Sequence, residues 1–177
     1  MLKNTRNMFI VMAKTTSSRR SVWESKDAAH SWLKARIPWK LWDPRVLNLY
    51  TEHGLRSLPT PVHNEKKGVV LACSPAQEGA AYLGEKDTLK SIAQFTRASG
   101  IIPFHGVYGA RNDMFTREIQ DSLHDPSAGR VLASAWRVSG AGHLVPLENP
   151  GNLAEVLKHV LASGERRKWE YIPHSKL

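Results

Sequence analysis

Two apolar runs in the second half of the chain constrain its fold most strongly. Residues 101–108 (Ile-Ile-Pro-Phe-His-Gly-Val-Tyr) and 131–138 (Val-Leu-Ala-Ser-Ala-Trp-Arg-Val) are mostly apolar without strict alternation. Runs of this length and composition predict strands that are buried on both faces, as in a parallel sheet. Helical patterns over about 87–100, 116–123 and 150–164 precede, separate and follow them. The order α-β-α-β-α predicts a doubly wound α/β fold.

Proline, glycine and capping residues divide the rest of the chain. Residues 1–20 are basic and predict a poorly ordered N-terminus. Residues 21–86 predict a mainly helical region with one short strand over 68–73, residues 87–165 the α/β core, and residues 166–177 a tail. Within the helical region, Ser25, Asp43 and Ser74 are placed to cap helices, because a side-chain oxygen there accepts from the first turn. Proline follows directly after Asp43 and Ser74, at the first helical position.

Composition excludes several classes of protein and partner. The chain has 177 residues, 41% of them apolar, which fits one domain with a hydrophobic core. A single cysteine, Cys73, favours a reducing compartment. The net charge of +9 is spread along the chain without aromatic interleaving, so we expect solvated surface and no nucleic acid partner. No apolar run approaches the ~20 residues of an integral membrane segment.

A histidine follows the second apolar run, in a segment rich in small residues. The segment reads Gly-Ala-Gly-His-Leu-Val-Pro-Leu-Glu-Asn-Pro over residues 140–150, and its histidine is His143. The flanking glycines allow a tight bend that leaves the imidazole exposed at the carboxyl end of a strand. Ligands bind at that edge of open α/β sheets. His143 is therefore the candidate general base.

A carboxylate follows the first apolar run in the equivalent place. Asp113 precedes His143 in the chain, which is the order of acid and base in α/β folds with a Ser-His-acid triad. We predict that Asp113 accepts a hydrogen bond from the imidazole N–H and orients the base. Its alternative role is a helix N-cap, for which Asn112 is also available. Asp121 and Asp125 are weaker candidates for the acid.

The nucleophile of such a triad has no clear candidate in these residues. A Gly-X-Ser-X-Gly elbow does not occur in the sequence. The nearest context is Ala-Cys-Ser-Pro-Ala at residues 72–76, but it lacks both glycines, and Pro75 favours a helix cap at Ser74 over a strained turn. Cys73 has no activating neighbour. The histidines lack metal-ligand spacing and no glycine-rich phosphate loop occurs, so no metal or other cofactor is predicted.

Three further stretches, together with the Asp113 and His143 segments, resemble a group of fungal α/β-hydrolases. They are residues 19–30 (Arg-Arg-Ser-Val-Trp-Glu-Ser-Lys-Asp-Ala-Ala-His), 38–47 (Pro-Trp-Lys-Leu-Trp-Asp-Pro-Arg-Val-Leu) and 68–78 (Gly-Val-Val-Leu-Ala-Cys-Ser-Pro-Ala-Gln-Glu). The group includes peroxisomal acyl-CoA hydrolases and proteins of host-selective-toxin biosynthesis. The resemblance covers about residues 19–164 and the tail.

The resemblance implies only the C-terminal part of an α/β-hydrolase fold. Residues 21–86 would form the helical cap domain of such an enzyme, and residues 87–165 the last strands and helices of its core. The first strands, the oxyanion-hole loop and the nucleophile elbow have no counterpart here, so the resemblance implies a truncated, incomplete fold. Its sheet would present an unpaired edge, and His143 would lack both a hydroxyl to activate and donors for an oxyanion.

The activity that the resemblance implies is hydrolysis of an ester or thioester, in secondary-metabolite or toxin biosynthesis. The partner would be an acyl or polyketide-like small molecule, such as an acyl-CoA. Trp39 and Trp42 are candidate pocket residues for it, with packing as their alternative role. Two other functions stay open: a non-catalytic remnant or interaction module, and a relative of epoxide hydrolases that uses an aspartate nucleophile.

The last three residues are Ser175, Lys176 and Leu177. A terminal Ser-Lys-Leu is the address read by the peroxisomal import receptor. We therefore expect this receptor as a second partner and the peroxisome as the location.

Overall fold

The computed structural model describes residues 2–64 and 67–162, and it has two compact units. The first unit runs to Thr88 and the second begins at Leu89. The division lies inside one helix, α5 (Glu85–Ala98). The predicted tail, residues 166–177, lies outside the described residues, and so do Ser175, Lys176 and Leu177.

The first unit joins helices to a small antiparallel sheet. In chain order its elements are α1 (Leu2–Ser17), β1 (Val22–Trp23), α2 (Lys26–Lys34), a 3₁₀ turn (Trp39–Leu41), α3 (Pro44–His53), β2 (Leu55–Ser57), β3 (Val69–Leu71) and α4 (Pro75–Ala81). The strand order is β1-β3-β2, and both pairs are antiparallel, with Val22 opposite Val70 and Leu55 opposite Leu71.

The three predicted helix caps are confirmed. The Ser25 side chain accepts from the backbone N–H of Ala28 at the start of α2, and the Asp43 carboxylate accepts from Arg45 at the start of α3. The Arg45 side chain also bonds this carboxylate and lowers the pKa of Asp43 to about 2, so the cap stays ionised at more acidic pH than an unpaired aspartate would. Ser74 forms a reciprocal capping box with Gln77 at the start of α4.

The core of the first unit is built around aromatic rings. Trp23 and Leu33 are almost fully buried, and Trp39 is 7% exposed. Neighbouring rings stand 5.3–6.5 Å apart, with interplanar angles of 56–78°, within the spacing of tilted and edge-to-face pairs. The aromatic series comprises Trp23, Trp32, Trp39, Trp42 and Tyr50. Trp23 and Trp39 are part of the core, and the other three rings pack against it.

Two expectations for this unit differ from the structure. Residues 21–86 were expected to contain one strand among helices, yet two further strands, β1 and β2, pair with β3 in a sheet. With two and three residues, β1 and β2 are too short to show an alternating pattern. Their pairing partner, β3, is distant in the sequence. Residues 1–20 were expected to be poorly ordered, whereas α1 packs closely on α4, where Gly79 lies against the Ala13 carbonyl and the Ser17 hydroxyl.

The second unit contains the predicted alternation of helices and parallel strands. Its elements after α5 are β4 (His105–Gly109), α6 (Arg117–Ser122), a 3₁₀ turn (Pro126–Ala128), β5 (Ser134–Val138), α7 (Val145–Glu148) and α8 (Pro150–Ala162). Strands β4 and β5 are parallel, from His105 opposite Ser134 to Gly109 opposite Val138. The α-β-α-β-α order is therefore confirmed.

The two strands are less buried than their sequences predict. Only the last residue of each, Gly109 and Val138, is buried, and the others are partly or fully exposed. Within the described residues the sheet has two strands only, so each strand has one unpaired edge. The core of this unit lies at the carboxyl ends of the strands, where Val138 packs with Ala141 and Val145.

No helix in the described part of the chain is long and apolar enough to cross a membrane.

Candidate functional site

The candidate base and acid lie on the loops that leave the carboxyl ends of β4 and β5. Because Gly109 and Val138 are directly opposite each other in the parallel pair, the chain segments that follow them begin side by side. The backbone N–H of Ala110 donates to the Val138 carbonyl (3.0 Å), and that of Arg111 donates to the Ala141 carbonyl (3.0 Å). The segment carrying Asp113 is thereby attached to the segment carrying His143.

Asp113 and His143 are in contact, through a different bond from the one predicted. The backbone N–H of His143 donates to Asp113 Oδ1 at 2.9 Å. The imidazole is exposed, stands edge-on to the Phe115 ring at 5.2 Å, and makes no hydrogen bond with any described residue. The carboxylate therefore holds the backbone of the candidate base, and the predicted imidazole–carboxylate bond is not formed in this conformation.

Arg111 and Glu148 complete the polar contacts around the loop. Arg111 Nη1 donates to the Gly140 carbonyl at 2.8 Å, and Arg111 Nη2 forms an ion pair with Glu148 Oε2. The same Glu148 oxygen accepts from the backbone N–H of Gly142 at 2.9 Å. The Glu148 side chain is only 4% exposed, and Arg111 Nη2 also lies 3.7 Å from Asp113 Oδ2. One guanidinium thus faces two carboxylates.

Sequence reasoning did not single out Arg111 or Glu148. Arg111 lies two residues before Asp113 and Glu148 five residues after His143, so both stood inside the segments already under consideration. No local rule pairs two charged residues that are 37 positions apart.

Close backbone approach at this site depends on glycine. A Cβ atom at Gly142 would overlap the Asp113 carboxylate, and one at Gly109 would overlap the carbonyl oxygen of Gly142. Gly140 has φ +73°, a left-handed conformation that glycine adopts without strain. Gly142 is therefore required by its contact with Asp113, and Gly140 by its backbone conformation.

The other predicted acids have separate partners. Asp125 caps a 3₁₀ turn by accepting from Ser127. Asp121 lies 3.4 Å from Arg137 Nη2 and 3.6 Å from His124 Nε2. Burial raises the pKa of Tyr108 in this second cluster, and the negative charge of Asp121 adds to the rise. The helix that follows Asp113 has Thr116 at its N-cap position, so neither Asn112 nor Asp113 has that role.

The two weak nucleophile candidates lie in the first unit. Ser74 Oγ accepts from the Gln77 backbone and contacts the Gln77 side chain, which is the environment of a helix cap. Cys73 is exposed. In the second unit, Ser134 Oγ lies 2.8 Å from His105 Nδ1, a serine–histidine contact that sequence reasoning did not find. These two residues begin their strands, at the edge opposite to His143.

Trp39 and Trp42 belong to the first unit and contact each other there, at 6.5 Å between ring centroids. Trp39 is part of the core, and Trp42 is partly buried against it. A shallow cleft in the same unit has other lining residues, namely Lys26, Asp27, His30, Asn48, Thr51 and Glu52. These contacts fit the packing role, and an acyl pocket at the two tryptophans stays a prediction.

Among residues 2–64 and 67–162, no group of three or more His, Cys, Asp or Glu side chains is arranged to hold a metal ion.

Comparison with known proteins gives a likeness in structure and none in sequence. No protein-family model matches the chain, and no curated protein matches it. Among solved structures, the peroxisomal alpha-beta-hydrolase Lpx1 (Yor084w) from Saccharomyces cerevisiae aligns with 99% of this chain at a TM-score of 0.65 and 14% sequence identity. The chain has part of an α/β-hydrolase fold. It spans 44% of the length of that structure.

Proposed function

We propose that this chain carries the base and the acid of a serine-hydrolase-type site that cleaves esters or thioesters. The observation that carries the proposal is the 2.9 Å bond between Asp113 and the backbone of His143, at the carboxyl ends of two parallel strands of an α/β-hydrolase fold. At this edge an exposed imidazole is accessible to substrate.

The proposed chemistry assigns one role to each residue. His143 takes the proton of an attacking serine hydroxyl and later returns it to the leaving group. Asp113 sits beside the base and stabilises the imidazolium, after a rotation that exchanges its bond to the His143 backbone for one to the ring. General acid–base catalysis of this kind contributes about 10²–10⁴-fold to the rate. The serine is the part that no Gly-X-Ser-X-Gly elbow in these 177 residues provides.

The substrate and the location are also proposals. An acyl or polyketide-like thioester, in fungal secondary-metabolite or toxin biosynthesis, is supported by the resemblance of residues 19–30, 38–47 and 68–78. A peroxisomal location is supported by Ser175, Lys176 and Leu177, and by the fold shared with a peroxisomal hydrolase.

A non-catalytic interaction protein is the second candidate. It is favoured by the missing elbow and by the imidazole of His143, to which no carboxylate of the described residues is hydrogen-bonded. The two candidates differ in one measurable property, which is covalent reaction with a serine-directed probe.

The test is labelling with a fluorophosphonate probe. In protein isolated as it is expressed in its source organism, mass spectrometry should identify the labelled residue as a serine in a Gly-X-Ser-X-Gly context. These 177 residues contain no such context. His143→Ala should slow labelling by at least about 10²-fold, and Asp113→Asn by a smaller factor. The control is the recombinant 177-residue chain, which should remain unlabelled. Its variants Ser74→Ala and Ser134→Ala test whether either serine is responsible for any labelling that does occur.

Each other outcome contradicts a stated part of the proposal. No labelling of the natively expressed protein would support the non-catalytic candidate. Labelling lost on Ser74→Ala or on Ser134→Ala would place the nucleophile within these residues and overturn the assignment of an absent elbow. Labelling that is insensitive to His143→Ala would remove His143 as the base.

A further inference from the structure

The loop before the candidate base is held almost entirely through its backbone. Each of the five residues 139–143 has at least one backbone group bonded by a group outside this segment. The carbonyl groups of Ser139, Gly140 and Ala141 accept, respectively, from Asn149 Nδ2 (3.0 Å), Arg111 Nη1 (2.8 Å) and the Arg111 backbone N–H (3.0 Å). The backbone N–H groups of Gly142 and His143 donate to Glu148 Oε2 (2.9 Å) and Asp113 Oδ1 (2.9 Å).

The sequence explains this dependence on backbone bonds. Gly140 and Gly142 have no side chains, and Ala141 contributes only a methyl group to the core. Glycine loses more conformational freedom on folding than any other residue. A loop of this composition cannot be fixed by packing alone, so its conformation depends on the polar side chains around it.

Arg111 and Glu148 act on this loop as a pair. Each bonds one loop residue directly, and their ion pair joins the two bonds. The Glu148 carboxylate is nearly buried, and a buried charge is strongly destabilising unless it is paired. Arg111 also lies near the carboxylate of Asp113, the side chain that bonds the His143 backbone. Loss of either member therefore affects more than one loop contact.

We propose that Arg111 and Glu148 are positioning residues that hold the loop 140–143 in one conformation and so present His143 at the carboxyl edge of the sheet. The function of this positioning rests on the proposed role of His143 as a base. The effect of Arg111 and Glu148 on the conformation of the loop is measurable without substrate or nucleophile.

The test is amide hydrogen exchange, measured by NMR on the full chain. Arg111→Ala and Glu148→Ala should each raise the exchange rates of the Gly142 and His143 amides at least about tenfold more than those of the β5 amides. Glu148→Gln keeps an oxygen for the Gly142 N–H but removes the charge, so its effect should be intermediate. Glu155→Ala is the matched control, because Glu155 pairs with Lys158 on the exposed face of α8.

A double-mutant cycle separates a pair from two independent structural residues. If Arg111 and Glu148 act together, Glu148→Gln should have a smaller effect on loop exchange in the Arg111→Ala background than in the wild type. Additive effects would show that the two residues act independently and would overturn the proposal. So would unchanged loop exchange, or an equal rise in loop and β5. Should the alanine variants fail to fold, Arg111→Lys and Glu148→Gln provide the same comparison with smaller changes in shape.

The two proposals can fail separately. Absent labelling of the natively expressed protein with a loop-specific rise in exchange would reject the hydrolase function and keep the positioning role. Labelling that depends on His143, with loop exchange insensitive to both variants, would do the reverse.

Discussion

At the scale of single residues, the site depends on glycines, which have no Cβ atom. The Asp113 carboxylate reaches the His143 backbone only because Gly142 has no Cβ, and the end of β4 reaches the loop only because Gly109 has none. Contacts of this kind give an all-or-none requirement, since even the smallest side chain occupies the space of the neighbouring atoms.

Gly142→Ala should therefore displace Asp113 from the His143 N–H. Overpacking at a well-packed position typically costs about 1–3 kcal/mol, and we expect a loss of that size in the free energy of unfolding, with a shifted His143 amide resonance. Urea unfolding and ¹H–¹⁵N spectra measure the two effects. Gly100→Ala is the matched control, because a Cβ at Gly100 would have no neighbour within 4 Å. Equal stability of Gly142→Ala and Gly100→Ala would contradict the assignment.

At the scale of elements, the caps were predictable and the shortest strands were not. Ser25, Asp43 and Ser74 each bond a backbone N–H two or three residues ahead, so the signal lies within one helical turn of sequence. By contrast, β1 and β2 form only by pairing with β3, which is the central strand of the sheet. Their own residues contain too few positions to show a period.

Helix α2 stabilises the first unit through one buried face. Leu33 lies on that face and is 0% exposed, in contact with the tryptophan-rich core. Leu33→Ala should lower the free energy of unfolding by about 2–5 kcal/mol, because it removes buried methyl groups and leaves a cavity. Tryptophan fluorescence in urea reports mainly on this unit, which contains Trp23, Trp32, Trp39 and Trp42.

The control for this substitution has the same chemistry on an exposed helix face. Leu49 on α3 is 56% exposed, and Leu49→Ala should change stability by less than about 0.5 kcal/mol. A similar loss for both variants would show that burial in this core does not determine the effect.

At the scale of the whole molecule, charge and targeting make different predictions. The charge of +9 acts over the whole surface, whereas a terminal address is read by a receptor from the last three residues alone. Location should therefore depend on Ser175, Lys176 and Leu177 and be insensitive to other changes of charge.

A fluorescent protein fused to the N-terminus should co-localise with a peroxisomal marker in fungal cells. Deletion of residues 175–177 should disperse the fluorescence through the cytosol, while alanine substitutions at residues 166–168, which remove three basic charges, should leave it unchanged. The same distribution with and without the last three residues would reject the targeting proposal.

The sequence by itself determined the local features of this protein: the capped helices, the order of helices and strands in the second unit, and the segments that carry Asp113 and His143. These depend on residues a few positions apart or on the period of one element. Only the tertiary structure decided that Asp113 bonds the backbone of His143, that Arg111 pairs with Glu148, and that three short strands form an antiparallel sheet. Those contacts join residues that are 12 to 48 positions apart, so they depend on the path of the chain through the fold, which no local pattern of residues encodes.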